Sequence, residues 1–232
     1  MLTLPSVCQV CGRWPSRAVC TACRQRFAPT VPRCVSCARV VPDGQPVCGE
    51  CVLNPTAVGH CMAAVDYRYP WDTLIGRFKF RSQPGWAPEM AGWMADCLRR
   101  EGDVAADALM IPVPVSPRRL EERGYNQAWE LCRALRRCTG LQALPDALFR
   151  VGDAPDQHRL PPAQRLTNLL GVFAVNPLRA EGLAGKNVLL VDDVRTTGAT
   201  LDQAARALRQ VGCATVDALV LARALADADQ EV

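Results

Sequence analysis

The chain has 232 residues, 49% hydrophobic and 22% charged, with a formal net charge of +4; this suits one medium domain with a small appendage. No apolar run reaches about 18 residues, and no basic start runs into an apolar stretch, so neither a membrane span nor a secretory signal is expected and a cytoplasmic protein is. The charge does not argue for nucleic acid: residues 1–60 hold six Arg against Asp43 and Glu50, a surplus of +4, which two four-thiolate zinc sites at about −2 each would cancel.

Thirteen residues are Cys, and eight of them form Cys-x-x-Cys pairs: Cys8/Cys11, Cys20/Cys23, Cys34/Cys37 and Cys48/Cys51. In a chain without an export signal such knuckles point to zinc rather than disulfides. Residues 5–53 therefore read as a double zinc ribbon. One structural zinc is expected on Cys8, Cys11, Cys20 and Cys23, and the second on Cys34, Cys37, Cys48 and Cys51. A cross-braced arrangement, first pair with third and second with fourth, stays open. Closed four-thiolate sites are structural, because catalytic zinc keeps an open position. Gly12 and Gly49 follow knuckle cysteines, where a tight turn favours a residue without Cβ. Trp14 and Phe27 are expected to pack over the knuckles. The module's Arg residues are spread rather than clustered.

Residues 54–61 read as a connector. Ala63 to Tyr69 reads as a strand, Leu74 to Phe80 has helical spacing, and Trp86 to Arg100 is an amphipathic helix with Met90, Trp93, Met94 and Leu98 on its apolar face. Ala108 to Val113 is a buried strand. It runs into Pro112-Val113-Pro114-Val115-Ser116-Pro117, a rigid loop in which alternate prolines stop helix and ladder alike. Arg118, Arg119 and Arg123 follow, and guanidinium groups beside a stiff loop suit a pyrophosphate, which Arg holds in bidentate fashion. Gly124 to Gln127 opens a helix with Ala128, Leu131, Cys132 and Leu135 inward. Leu148 to Val151 and Gly171 to Val175 read as short strands. Between them, Asp153 to Leu169 is a long polar segment and a lid candidate, holding Gln157, His158 and Arg165.

Val188 to Val191 reads as a strand buried on both faces and hence central in a parallel sheet. Asp192 and Asp193 follow at once, then Thr196, Thr197, Gly198, Ala199 and Thr200, then a helix with Leu201, Ala204, Ala205 and Leu208 on one face. Ligands of open α/β sheets bind at such strand ends. A helix N-terminus offers unpaired N–H groups to a phosphate, and the two carboxylates can face sugar hydroxyls or a metal ion. Ala214 to Ala222 is apolar enough for a last sheet strand.

The stretch Val188 to Leu201 closely resembles the signature of type I phosphoribosyltransferases, which hold 5-phosphoribosyl-1-pyrophosphate (PRPP). The order of zinc knuckles, Phe78-Lys79-Phe80, Pro112 to Gln127, a polar lid ending Arg165-Leu166-Thr167-Asn168, and this signature resembles the ComF (competence protein F) family from about Cys8 to Arg223. The resemblance implies an α/β fold: a type I phosphoribosyltransferase-like, mostly parallel sheet flanked by helices over residues 58–225, with a small N-terminal zinc-ribbon domain over 5–53. It implies that Asp192 and Asp193 hold the ribose hydroxyls and Thr196 to Thr200 the 5′-phosphate. Ser116, Arg118, Arg119 and Arg123 face pyrophosphate, and Gln157 with Arg165 belong to a mobile hood. Inside that lid the chain departs from the family pattern, reading His158-Arg159-Leu160-Pro161-Pro162. Implied besides are Mg²⁺ with PRPP, a link to natural transformation, and single-stranded DNA or competence helicase and recombination-mediator proteins as partners. No acceptor is named by the residues.

Overall fold

The structure is a computed structural model and describes residues 6–80, 83–101, 104–150 and 172–224. Its centre is a five-stranded, all-parallel sheet of β1 (Cys61–Asp66), β2 (Leu109–Pro112), β3 (Gln142–Ala143), β6 (Asn187–Arg195) and β7 (Thr215–Arg223), in the order β1-β7-β6-β2-β3. The expected apolar run is thus the central strand. Its side chains alternate between two cores. Leu189 and Val191 face one cluster, and Val188 and Leu190 the other, as the two-residue period of a strand requires.

The first face is covered by α3 (Trp71–Phe80), α4 (Ala87–Glu101) and α6 (Gln127–Thr139). Trp71, Phe78, Met90, Met94, Leu131 and Leu135 are packed there without solvent contact. The second face is covered by α8 (Ala199–Gln210), with Leu201, Ala204, Ala205 and Leu208 inward as their spacing predicts. β4 (Leu148–Arg150) and β5 (Phe173–Val175) do not join the main sheet. They form a separate antiparallel pair, with Leu148 and Phe173 in that second core. Asn176 caps α7 (Pro177–Leu183), a helix that the sequence reading leaves unassigned.

The proline-rich run is more regular than a rigid loop. Pro112 is the last residue of β2, opposite Val191. Its missing N–H does no harm there, because β3 has already ended at Ala143. Pro117 opens α5 (Pro117–Arg123), with Ser116 as the N-cap accepting from the Arg119 amide at 3.4 Å. Proline is tolerated at a first helical position because that N–H has no intrahelical partner anyway.

Residues 6–53 carry α1 (Thr21–Phe27) and α2 (Gly49–Leu53), each opened by a cysteine N-cap, Cys20 and Cys48. This segment is docked on the sheet by polar contacts. The Cys61 amide at the start of β1 donates to the Val35 carbonyl at 2.6 Å. Trp71 Nε1 donates to the Phe27 carbonyl at 2.8 Å. Arg33 pairs with Asp66 at 2.8 Å, both largely buried, and Arg24 with Asp96 at 2.9 Å. Trp14 is exposed, whereas Phe27 packs against the first core and meets Tyr69 edge to face. No helix among the described residues is long and apolar enough to cross a membrane.

Candidate functional site: a strand-end anion loop beside two cysteine clusters

The two cysteine clusters settle the pairing. In each of two groups, Cys8, Cys11, Cys20 and Cys23, and Cys34, Cys37, Cys48 and Cys51, the sulfurs lie within 4.8 Å of one another. The sequential arrangement is the one present, and the cross-brace is not. Four convergent thiol sulfurs fit a closed tetrahedral metal site, and both groups could hold a metal ion. Backbone amides aim at the sulfurs: Cys20 N–H to Cys8 Sγ at 3.3 Å and Cys48 N–H to Cys34 Sγ at 3.3 Å. Burial resists ionisation of Cys8, but amide donors from Cys20, Cys11 and Val10 outweigh it and hold the thiol down to about 6. Cys34 is held near 7 in the same way. Burial, and then hydrogen bonds and charge from its neighbours, push Cys23 up to about 12. The left-handed turn residues are Gly12 at φ 74° and Ala38 at φ 59°. Gly49 instead begins α2. The tight turn of the second cluster therefore follows Cys37 of the third pair, and Gly49 in the fourth pair makes none.

At the carboxyl end of β6 the chain turns through Arg195 to Gly198 into α8. Gly198 is the N-cap at φ 91° and offers no side chain; the Ala199 amide donates to Thr197 Oγ1 at 3.4 Å, and the next amides of this twelve-residue helix face the loop, where an anion could accept from them. Thr196, Thr197 and Thr200 are exposed around them. Just before this loop Asp193 meets Lys79 Nζ at 2.8 Å, with both side chains mostly buried. Asp192 accepts from the Asp193 amide at 2.8 Å. Burial, and then the Asp193 charge, push its carboxyl up to about 7, opposed by Lys79 and Arg119.

The structure thus brings Asp192, Asp193 and Arg119 into one electrostatic neighbourhood. Lys79, from the Phe78-Lys79-Phe80 end of α3, belongs to the same group. The sequence reading noted that tripeptide without assigning it. Arg123 donates to Gln127 Oε1 at 2.9 Å and lies 5.2 Å from the Phe80 ring centroid. Arg118 points to Glu122 at 2.8 Å on the solvent side. The Tyr125 hydroxyl donates to the Phe78 carbonyl and ties α3 to the helix entrance beside these residues. Gln157, His158 and Arg165 lie outside the described residues. His60 sits 3.7 Å from Glu101 and outside both thiol clusters.

On its other side the loop borders a cleft of about 690 Å³ against the second cysteine cluster. Arg223, at the end of β7, is buried there and spans the gap. Its Nε donates to the Cys37 carbonyl at 2.9 Å, and its Nη1 to the Thr196 carbonyl at 2.6 Å and the Arg195 carbonyl at 3.1 Å. No sequence motif announces this link.

Residues 150–231 match the family described as the phosphoribosyl transferase domain. Over 97% of this chain, and all of the relative, the sequence is 30% identical to the DNA utilization protein YhgH of Salmonella typhi. It is also 30% identical to competence protein F of Haemophilus influenzae, over 89% of this chain and 90% of the relative. The chain belongs to the ComF family. Competence protein ComFC of Bacillus subtilis is likewise 30% identical, over 90% of this ComF chain and 85% of its own. Hypoxanthine phosphoribosyltransferase of Trypanosoma cruzi resembles it more distantly, at 16% identity and a TM-score of 0.36 over 62% of this chain and 66% of that one; so low a score carries no argument.

Proposed function

We propose that this ComF-family chain binds PRPP and acts as a phosphoribosyltransferase in the handling of DNA during natural competence. The observation that supports this best is the Asp192–Asp193 pair at the end of the central strand, shortly before a helix N-terminus ringed by threonines. Ribose hydroxyls would donate to the two carboxylates, with Lys79 sharing Asp193. The 5′-phosphate would accept from the α8 amides and from the hydroxyls of Thr196, Thr197 and Thr200, where Gly198 and Ala199 keep the approach open. Ser116, Arg118, Arg119 and Arg123 would receive the departing pyrophosphate, and Gln157 with Arg165 would close over it. Mg²⁺ bound with PRPP would neutralise charge that builds on the leaving group.

Breaking the C1–O bond gives a transition state of oxocarbenium character, so the residues act by placing charge rather than by attack. No protein nucleophile is required. Residues 5–53 would be a module held by two structural zinc ions, and 58–225 the transferase domain. The names of the relatives, DNA utilization protein and competence protein, support a DNA-linked role; single-stranded DNA or competence proteins would be its partners, in the cytoplasm. The test is incubation with PRPP, Mg²⁺ and a panel of bases and amines, scored for pyrophosphate release. Acceptor-dependent release supports the enzyme. PRPP binding without release from any acceptor makes the chain a ligand-binding adaptor, and absence of PRPP binding overturns the proposal.

A further inference from the structure

Arg123, at the end of α5, is gripped from two sides. Its Nη1 donates to Gln127 Oε1 at 2.9 Å, and its guanidinium carbon lies 5.2 Å from the Phe80 ring centroid, over the ring. Arg118 on the same helix instead runs out to Glu122, with its side chain 87% exposed. The chain itself arranges the grip. Gly124, at φ 77°, ends α5 with its amide on the Leu120 carbonyl at 2.7 Å. A side chain disfavours that left-handed conformation, so the glycine is what lets the chain turn back at once. Asn126 then caps α6 by accepting from the Ala128 amide at 2.9 Å, and it ties the turn to the end of β2 by donating to the Val113 carbonyl at 3.2 Å. Gln127, in the first turn of α6, is thereby brought to Arg123.

Gln127 is unfavourable where it stands. It is 1% exposed, and its Nε2 is buried without a hydrogen-bond partner. An unmet buried donor lowers stability, and an apolar side chain of like size would pack there without that penalty. What the amide does is accept from Arg123. A carboxylate would accept as well, but it would cancel the charge. Among the described residues no carboxylate pairs with Arg123. An amide oxygen engages one guanidinium N–H and leaves the charge whole. Phe80 is 70% exposed, and an aromatic face likewise holds a guanidinium without neutralising it. Phe80 follows Lys79, whose Nζ meets Asp193 at 2.8 Å. The Tyr125 hydroxyl donates to the Phe78 carbonyl and pins this end of α3 against the turn. Burial pushes the Tyr125 phenol up against the pull of Gln127 and Arg123, and the charges of Glu130 and Asp193 add to the rise. One hydroxyl thus senses both the grip on Arg123 and the carboxylate pair.

We infer that Gln127 and Phe80 are positioning residues, which hold the Arg123 guanidinium from the buried and the exposed side and aim it at the pyrophosphate of PRPP. The inference rests on the reading that this chain binds PRPP. A guanidinium already held in place pairs with phosphate oxygens without first losing side-chain freedom, so the brace turns a mobile charge into a fixed one. It acts on the leaving-group end alone. The ribose hydroxyls and the 5′-phosphate are met by other residues, so a ligand without pyrophosphate should not sense it.

The test uses the full chain with its metals in place. PRPP·Mg²⁺ and ribose 5-phosphate, which lacks only the pyrophosphate, are titrated by calorimetry. Gln127→Met should weaken PRPP·Mg²⁺ about tenfold, the scale of a lost charge-assisted hydrogen bond, and ribose 5-phosphate by less than about twofold. Its urea midpoint should equal or exceed the parent's, because the unmet buried donor is gone. Phe80→Leu, at an exposed position where the fold is not at stake, should weaken PRPP·Mg²⁺ about threefold with the same selectivity. Arg123→Met and the double variant Arg123→Met, Gln127→Met should bind PRPP·Mg²⁺ alike, since a residue that acts through Arg123 has nothing to add once Arg123 is gone. Additive losses in that pair, or equal losses of both ligands in Gln127→Met, would make Gln127 a structural residue and overturn the inference. So would unchanged PRPP·Mg²⁺ affinity in Arg123→Met, or in both Gln127→Met and Phe80→Leu, with the PRPP reading itself left standing. A parent chain that binds neither ligand would overturn that reading and the inference with it.

Discussion

Asp192 and Asp193 are adjacent and chemically alike, yet their surroundings differ. Asp193 has a lysine at 2.8 Å, whereas burial and then the Asp193 charge raise the Asp192 carboxyl to about 7, against the pull of the Asp193 amide, Lys79 and Arg119. An acid whose folded pKa lies above its unfolded value holds its proton more tightly in the folded state. The penalty is absent below about pH 4, grows as pH rises, and is fully present above about 7. Asp192→Asn should therefore melt higher than the parent at pH 8 and equal to it at pH 4, as calorimetric scans at both pH values would show. Ligand binding has the opposite trend. A ribose hydroxyl or a bound cation favours the carboxylate, so PRPP·Mg²⁺ affinity should rise between pH 6 and 8 with release of a proton. That release is measurable by calorimetry in buffers of different ionisation heat. At pH 8, removing both charges with Asn should weaken PRPP·Mg²⁺ by roughly 1–3 kcal/mol per charge-assisted hydrogen bond lost. Unchanged affinity would make the pair a remnant of the fold.

The loop between β6 and α8 depends on one backbone conformation. Gly198 sits at φ 91°, and a side chain there would also meet the Arg195 guanidinium. Gly198→Ala should lower stability by about 1–2 kcal/mol from the left-handed conformation alone, read as a shifted urea midpoint, and should weaken PRPP binding besides. The elements around this loop were legible in the sequence. An apolar run followed by two carboxylates marked the central strand end, and Leu201, Ala204, Ala205 and Leu208 marked the inward face of α8. Strand ends were less legible. β1 begins at Cys61 rather than Ala63, because Cys61 and Met62 pair with Ala218 and Leu219, and it ends at Asp66 ahead of the turn into α3. The start of α5 was read as loop because proline was weighed as a breaker, when at a first helical position it is a starter. The Arg223 link to Cys37 joins residues 186 apart. Only the folded chain brings them together, so no local pattern encodes it.

Across the whole molecule the cysteine module is part of the architecture around the site. Cys8, Val19, Cys20 and Cys23 pack in the same apolar cluster as Trp71, Phe78 and Met90, and Ala38 belongs to the second core with Val58 and Leu190. The module also supplies acceptors that buried donors of the sheet domain need: Phe27 for Trp71, Val35 for Cys61, and Cys37 for Arg223. A buried donor left without its acceptor costs about 1–3 kcal/mol, and more when charged. Metal removal should therefore reach beyond residues 5–53. Stripping zinc with a chelator should lower the melting temperature of the whole chain, and hydrogen exchange should quicken at the ends of β1 and β7 as well as in the ribbon. A truncated chain beginning near Val58 should share that loss of stability. The loop should respond most. Arg223 holds the Arg195 and Thr196 carbonyls from one side and the Cys37 carbonyl from the other, so a loosened second cluster frees the clamp beneath the anion loop. PRPP affinity should fall on zinc removal even though no thiol lies among the residues proposed to hold PRPP, and it should return when zinc is restored. The control is Cys34→Ser with the first cluster intact: fast exchange near Thr196 together with weakened PRPP supports the clamp. Weakened PRPP with slow exchange at the loop would instead place the coupling elsewhere in the docked module.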